Sequence, residues 1–484
     1  MACPDRSSSS ADVLRWPVIG RLLRWRHART TLQLTALLFA IAMVLHGLFG
    51  PQIAPRNLAT VLTWVHYRGL LVVALLAAGN FFCTGCPFIL VRDAARRQHR
   101  PSRGWPAKLR NKWLGIALFA TVLFVYELFD LWALPRATAW LVLGYFAAAL
   151  AIDLVFTGAS FCKYLCPIGQ FNFAASTLSP LEVTVRQPEV CSGCRTVDCI
   201  RGRRDPAAPG VTIQRGCELG LFLPAKVGNL DCTFCLDCVQ ACPHDNVAIA
   251  ARMPGAELVD GRRRSGIGRL AARPDIAALA VVFVFGALLN AFAMVRPVYE
   301  VEQRLARMMG VSSEAPVLLL MFVVGLGIGP LVLLMAAAAS SRLLSRPDRG
   351  SIRADIVNYA VALVPVGFGL WIAHYSFHLL TGVLTIVPVT QSAAADLFGR
   401  ALFGAPLWML AGMRPGAVFP LQIGFVLLGA FGSLAVAYGI SEREHPARPA
   451  AATMPWFVLV LLIAAAAMWV LSEPMEMRGI GLAG

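Results

Sequence analysis

The sequence predicts an all-α polytopic membrane protein of about nine transmembrane helices, interrupted by one polar, cysteine-rich segment. Three observations carry this. Mean hydropathy is +0.65, with 57% hydrophobic and only 14% charged residues, outside the balance of a water-soluble domain. Apolar stretches of the ~20 residues that a helix needs to cross a bilayer recur along the chain. Most of the 13 cysteines crowd into residues 191–242, where the apolar pattern stops.

The spans are expected at about 31–50, 60–82, 113–134, 138–160, 274–295, 316–338, 355–381, 417–439 and 454–472. The first is too long for a removable signal peptide and lacks a small-residue cleavage site. The chain then divides into a leader (1–30), a four-helix membrane domain (31–160), a polar insertion (161–273) and a five-helix membrane domain (274–484).

The net charge of +16 follows topology: no basic, aromatic-interleaved soluble face is left over to track nucleic acid. Arg15, Arg21, Arg24, Arg26 and Arg29 precede the first span, and the stretch from Arg92 to Lys112 carries eight Arg and Lys residues. Arg342, Arg346, Arg349 and Arg353 fall between the sixth and seventh spans, whereas the alternate loops hold Arg56 and Arg136. Segment 296–315 runs against this trend with Arg296, Arg304 and Arg307. The bias places the N-terminus and the insertion in the cytoplasm and the C-terminus in the periplasm, across a bacterial inner membrane whose lipid is the first partner. The fairly apolar segment 382–416 is expected to lie in the interface as a short amphipathic helix. The glycines of Gly325-Leu-Gly327-Ile-Gly329, inside an apolar span, suit helix packing better than a nucleotide.

On a reducing, cytoplasmic segment cysteines read as ligands rather than disulfides. Cys3, alone in a Ser-rich start, is read as incidental. Cys232, Cys235, Cys238 and Cys242-Pro243 have the spacing of a ferredoxin run, in which three thiolates hold three corners of a [4Fe–4S] cubane and the displaced fourth serves the other cluster. Zinc favours two separated Cys pairs, which this run does not provide. A companion run is irregular: Cys191, Cys194, Cys199 and Cys217 leave gaps of four and seventeen residues before the third and fourth cysteines. Crossing the fourth ligands assigns one cluster to Cys191, Cys194, Cys199 and Cys242 and a second to Cys217, Cys232, Cys235 and Cys238. The Arg-rich stretch 201–210 is expected to be an exposed loop, either a solvated charge run or a dock for an acidic donor such as a soluble ferredoxin or flavodoxin. A second set of thiols, Cys83 and Cys86-Pro87 with Cys162 and Cys166-Pro167, closes the second and fourth spans at the cytoplasmic edge. These four are expected to share a third metal or redox-thiol site, with Fe–S, copper and a dithiol pair all open.

Two helices, a Cys-Pro motif, two more helices, a second Cys-Pro motif and a two-cluster segment resemble the NapH/NosR-type membrane polyferredoxins over about residues 30–250. The copper-handling accessory protein of respiratory oxidase assembly is similar too. The resemblance implies electron exchange between a soluble cytoplasmic donor and the quinone pool or a membrane redox partner. A copper-reducing assembly factor is the alternative, and a membrane anchor wiring a catalytic subunit is a third reading. The chain departs from the family pattern in its first motif, CxxCP in place of CxxxCP, in the insertion before Cys217, and in the five helices after residue 274.

Four histidines fall inside spans: His46, His66, His374 and His378. Ionisable groups there are costly and usually functional, and haem b, a quinone, or copper with Met475 and Met477 are the uses open to them. Arg68, Glu127 and Asp130 lie at similar depth and suggest a lined path or an ion pair. There is no nucleotide fingerprint and no hydrolytic triad, so any enzymatic role is expected to be that of an oxidoreductase.

Overall fold

Eight apolar stretches form helices long enough to cross a bilayer: Ala28–Phe49, Leu58–Ala95, Pro135–Val155, Pro274–Phe292, Glu314–Ser345, Ile352–Gly382, Pro415–Glu444 and Pro449–Ser472. They were obtained in a computed structural model that describes residues 12–208, 212–346 and 350–475; Cys3, Arg349 and Met477 lie outside the described residues. The third expected span, 113–134, is a shorter apolar helix, Trp113–Leu128, of 16 residues. At 1.5 Å per residue it reaches about 24 Å, short of the ~30 Å hydrocarbon core. Its continuation is broken where Asp130 takes a left-handed φ of 45°.

Two shorter segments are helical. Segment 382–416 contains a helix, Ile386–Phe398, and the glycine run lies within the continuous span Glu314–Ser345. The Arg-bearing segment 296–315 is a helix, Pro297–Met309, in which Val298 is buried while Arg304 and Arg307 face out.

The chain packs as two units. Unit one comprises Met1–Leu38, Ala74–Asn111 and Phe146–Arg273; unit two comprises Phe39–Val73, Lys112–Tyr145 and Pro274–Gly484.

In unit one a 3-10 turn (Gly79–Gly85) leads into α1 (Pro87–Ala95), and a π-turn (Phe161–Leu165) leads into α2 (Pro167–Ala175). The strand β1 (Leu181–Val185) follows, then α3 (Asp198–Arg201), a hairpin of β2 (Arg203–Arg204) and β3 (Thr212–Gln214), α4 (Asp237–Ala241) and β4 (Val247–Ala251). Strands β1 and β4 pair antiparallel from Leu181 opposite Ala251 to Val185 opposite Val247. Val183, Val247 and Ile249 join Val13, Leu14, Leu223, Phe234, Leu236 and Val239 in one apolar core. Asp12 pins the chain to that core, its carboxylate accepting from the Ile249 and Leu14 N–H groups at 3.1 and 3.0 Å.

Unit two is built around Ile352–Gly382, which is almost wholly enclosed. It packs against Pro274–Phe292 and Pro415–Glu444, and the latter packs against Pro449–Ser472. Small residues allow the closest approach: a Cβ on Gly369 would lie 2.5 Å from the Phe425 carbonyl oxygen, and one on Gly429 would lie 2.6 Å from that of Pro365. Gly429→Leu is therefore expected to push these helices apart and cost about 1–3 kcal/mol. Thermal denaturation in detergent should show this as a lowered midpoint, while iron bound per chain stays as in the wild type.

Candidate metal centres

All 12 described cysteines are free thiols and all fall in unit one. The sequence assigns them to three sets of four.

The run from Cys232 to Cys242 winds through residues that rarely take a positive φ. Asp231, Phe234 and Leu236 stand at 64°, 51° and 60°. Bulky side chains in this region cost on the order of 1–3 kcal/mol each, so the fold holds them there against their preference. Leu236 leads into α4, with Asp237 first and Cys238 second in that helix, and the Cys242 N–H donates to the Cys238 carbonyl at 3.1 Å.

The irregular run repeats this figure. Val197, at φ 52°, leads into α3, with Asp198 first and Cys199 second. The Cys217 N–H donates to the Cys199 carbonyl at 2.8 Å. The long gap is thus taken up by the β2–β3 hairpin, which leaves Cys199 and returns the chain beside it. The shorter insertion is absorbed between Cys194 and Val197. Arg201, Arg203 and Arg204 are exposed, as expected of that stretch, while residues 209–211 lie outside the described residues.

One residue links the two runs through their sulfurs. Asn246 donates from its side-chain amide to Cys191 Sγ at 3.3 Å and from its backbone N–H to Cys242 Sγ at 3.4 Å, tying the two runs together. Burial and then the charges of Cys242, Cys191 and Cys194 push the Cys199 thiol up to about 11. Cys217, Cys232, Cys235 and Cys238 line one cavity with apolar walls that include Leu221 and Leu223. The Leu221 N–H donates to Cys217 Sγ at 3.4 Å. Burial pushes the Cys235 and Cys238 thiols well up, so any metal bound there must displace their protons.

The third tetrad is Cys83, Cys86, Cys162 and Cys166. Cys86 caps α1 and Cys166 caps α2, each followed by a proline at the first helical position, where a missing N–H costs nothing. On α2 the Gly169 N–H donates to Cys166 Sγ at 3.2 Å, and one turn on the Asn172 amide donates to Cys83 Sγ at 3.3 Å. Burial, followed by the charges of Cys166, Asp153 and Cys86, raises the Cys162 thiol well above its ordinary range.

Among the described residues no three His, Cys, Asp or Glu side chains converge as a single bound ion requires. Thiolates around one zinc ion would all lie ~2.3 Å from a common point. A cubane spreads its ligands over four corners, and the N–H groups aimed at sulfur are the kind that tune such a cluster. Thiols that already receive N–H groups at sulfur are a donor set that fits an iron–sulfur cluster.

Buried charge braces these loops. Arg92, 1% exposed, binds Glu218 at 2.7 Å, Asp93 at 2.7 Å and Asp153 at 3.3 Å. Arg29 pairs with Asp237 at 2.6 Å, next to Cys238 in sequence.

The four membrane histidines separate in unit two. His46 Nδ1 accepts from the Leu58 N–H at 2.9 Å, so Nε2 carries the proton it shares with Asp396 at 3.0 Å. His66 places Nδ1 at 3.1 Å from the Val61 carbonyl and Nε2 at 3.3 Å from that of Val383. Both nitrogens of these rings are engaged within the protein. His374 and His378 do come together, ring centroids 5.1 Å apart, and the Nε2 atom of each is buried with no hydrogen-bond partner. Arg68 stands over the rings of Trp64, Tyr126 and Tyr375 at 4.3, 4.4 and 5.1 Å, so aromatic faces meet its charge. Glu127 accepts from the Asn290 amide at 3.0 Å. Met475 packs against an apolar cluster of Tyr126, Leu131 and Met294.

Sequence reasoning missed Asn80, Gly169, Asn172 and Asn246. The only sequence cue to them is an amide or glycine within six residues of a cysteine, too common a pattern to single them out.

Two characterised proteins are similar to the chain. One is the methylamine utilization ferredoxin-type protein MauN of Methylobacillus flagellatus, 29% identical over 224 residues, 42% of this chain and 75% of that protein. The other is the ferredoxin-type protein NapH of Escherichia coli, 25% identical over 195 residues, 37% of this chain and 65% of NapH. No family model matches, and no solved structure matches. Both of these relatives are described as ferredoxin-type proteins.

Glu218 gives this region its pH response. Burial alone would raise its carboxyl, but Arg92, Arg29 and Arg215 outweigh that and hold it down at about 2. A depressed carboxylate stabilises fully above its ordinary range near 4.5 and loses that contribution as pH falls toward 2. Glu218→Gln should cost about 3 kcal/mol at neutral pH, since it removes one partner of a buried cation. Denaturation midpoints measured from pH 8 to pH 3 should show the gap between wild type and variant constant above pH ~5 and closing below it.

Proposed function

We propose that the chain is a membrane-bound iron–sulfur protein that exchanges electrons between a soluble cytoplasmic donor and the quinone pool or a membrane redox partner, as an oxidoreductase or an electron-transfer subunit. It holds one [4Fe–4S] cluster on Cys191, Cys194, Cys199 and Cys242 and another on Cys217, Cys232, Cys235 and Cys238. One observation carries this reading. Two runs of unlike length fold to the same figure, a left-handed residue, an Asp, the third cysteine, and a fourth cysteine hydrogen-bonded back to the third. Zinc and disulfide frameworks have no need of that repeat.

Each cluster, when bound, supplies one-electron chemistry at a potential set by burial and by hydrogen bonds to sulfur. The chain's own residues set those terms. Asn246 and Leu221 aim N–H groups at ligand sulfurs. Phe234 and Leu236 keep water from the second cluster's ligands, and the exposed Arg203 and Arg204 present positive charge to an acidic donor. The orientation proposed puts unit one at the cytoplasmic face.

His374 and His378 are the proposed place of a quinone headgroup. Their buried Nε2 atoms lack partners, which costs about 1–3 kcal/mol each until an acceptor such as a quinone carbonyl oxygen arrives. Copper reduction is the second reading; the repeated figure of the two cysteine runs favours iron–sulfur.

Anaerobically purified protein tests the clusters. Cys194→Ser and Cys235→Ser are each expected to lower iron by about four per chain and to remove a different EPR signal of the reduced protein. Unchanged iron in both variants would overturn the assignment. For the headgroup, His374→Ala should slow quinone-dependent oxidation of the reduced protein about tenfold, the worth of one hydrogen bond of ~1.4 kcal/mol, with iron content unchanged. Wild-type oxidation rates in both His374→Ala and His378→Ala would remove that site from the proposal.

A further inference from the structure

We propose that Cys83, Cys86, Cys162 and Cys166 hold a third [4Fe–4S] cluster, seated against the tetrad of Cys217, Cys232, Cys235 and Cys238. The proposal deepens the iron–sulfur reading and rests on it only for the identity of that neighbour.

Four observations lead there. First, the two Cys-Pro motifs of the sequence fold to a structural repeat. Each pair sits on an irregular turn, 3-10 or π, and each turn ends in a Cys-Pro that caps a helix of 9 residues. Two matching loops each contribute two ligands.

Second, one helix face serves both loops. Gly169 and Asn172 stand three residues apart on α2, hence on the same side, and donate to the sulfurs of Cys166 and Cys83. This joins thiols 83 residues apart in the chain around a common donor surface. N–H groups aimed at sulfur stabilise thiolate charge and tune a cluster's potential.

Third, the four sulfurs form no disulfide, so all four are open to ligation.

Fourth, the loops are bonded to the neighbouring tetrad. Thr84, between Cys83 and Cys86, donates its hydroxyl to the Phe234 carbonyl at 2.6 Å, and the Asn80 amide donates to the Cys232 carbonyl at 3.1 Å. Gly79, at φ 65°, lies so near that an added Cβ would be 2.7 Å from the Phe234 ring. Cys162, Cys217 and Cys232 also pack on the same apolar group of Ala159, Leu219 and Leu221. Two sets of ligands with interlocked backbones are what electron exchange over a short distance demands.

The test uses the full-length protein, purified anaerobically in detergent, with iron and acid-labile sulfide assays and quantitative Mössbauer spectroscopy. About twelve irons per chain are expected, all in cubane clusters, falling by about four in Cys83→Ser and in Cys166→Ser. About eight irons in the wild type, unchanged in both variants, would overturn the third cluster and leave the other two standing. So would one equivalent of copper at these thiols, or their alkylation as a free dithiol pair, with iron at about eight. Iron lost in Cys83→Ser but in neither Cys194→Ser nor Cys235→Ser would leave this cluster standing and overturn the other two. A variant that keeps every ligand guards against misfolding. Asn172→Ala should retain all the iron yet shift one of three redox transitions to lower potential, through loss of its N–H to Cys83 Sγ. Three unmoved transitions in that variant would count against the proposal.

Discussion

A cluster ligand has to present sulfur inward while its neighbouring amides also turn inward, and an ordinary L-residue backbone does not curl that tightly. In unit one the curl is obtained by forcing Val197, Phe234 and Leu236 into left-handed conformations that none of them prefers. Other features of the unit make that strain tolerable. Phe234 and Leu236 bury their side chains in the core under the β1–β4 pairing, so burial offsets the backbone cost. Thr84 and Asn80 engage the carbonyls that the turn leaves over, and Arg29 binds the Asp237 that opens the following helix. Without these braces the run would relax toward extended chain and its thiols would part.

Charge inside the protein is handled differently in the two units. In unit one Arg92 is met by three carboxylates, two of which also bind Arg215. In unit two Arg68 is surrounded by aromatic faces, and His374 and His378 retain unfilled nitrogens. The first arrangement is saturated and reads as scaffold. The second leaves hydrogen-bonding capacity unspent.

Much of this was legible in sequence because the relevant signals are local. Spans announce themselves by apolar length, and Cys232, Cys235, Cys238 and Cys242 by fixed spacing along a tight turn. The expected third span was misjudged in length because hydropathy continues through residues 129–134 while the backbone does not, Asp130 having turned left-handed. The place of Cys217 beside Cys199 could be guessed only by counting cysteines, since a hairpin and not a spacing brings it there. The amides of Asn80, Asn172 and Asn246 were invisible, because their partners lie on other segments and nothing in their neighbourhoods marks them.

That hairpin has a consequence for how such a chain can vary. Cys217 reaches its position through β2–β3 pairing and one backbone hydrogen bond, so the contour length between Cys199 and Cys217 is not itself constrained. Doubling a flexible loop costs only about 0.6 kcal/mol in closure entropy. The hairpin tip is therefore an interchangeable part. Insertions there would leave the Cys217 N–H bonded to the Cys199 carbonyl and the cysteines on either side in place.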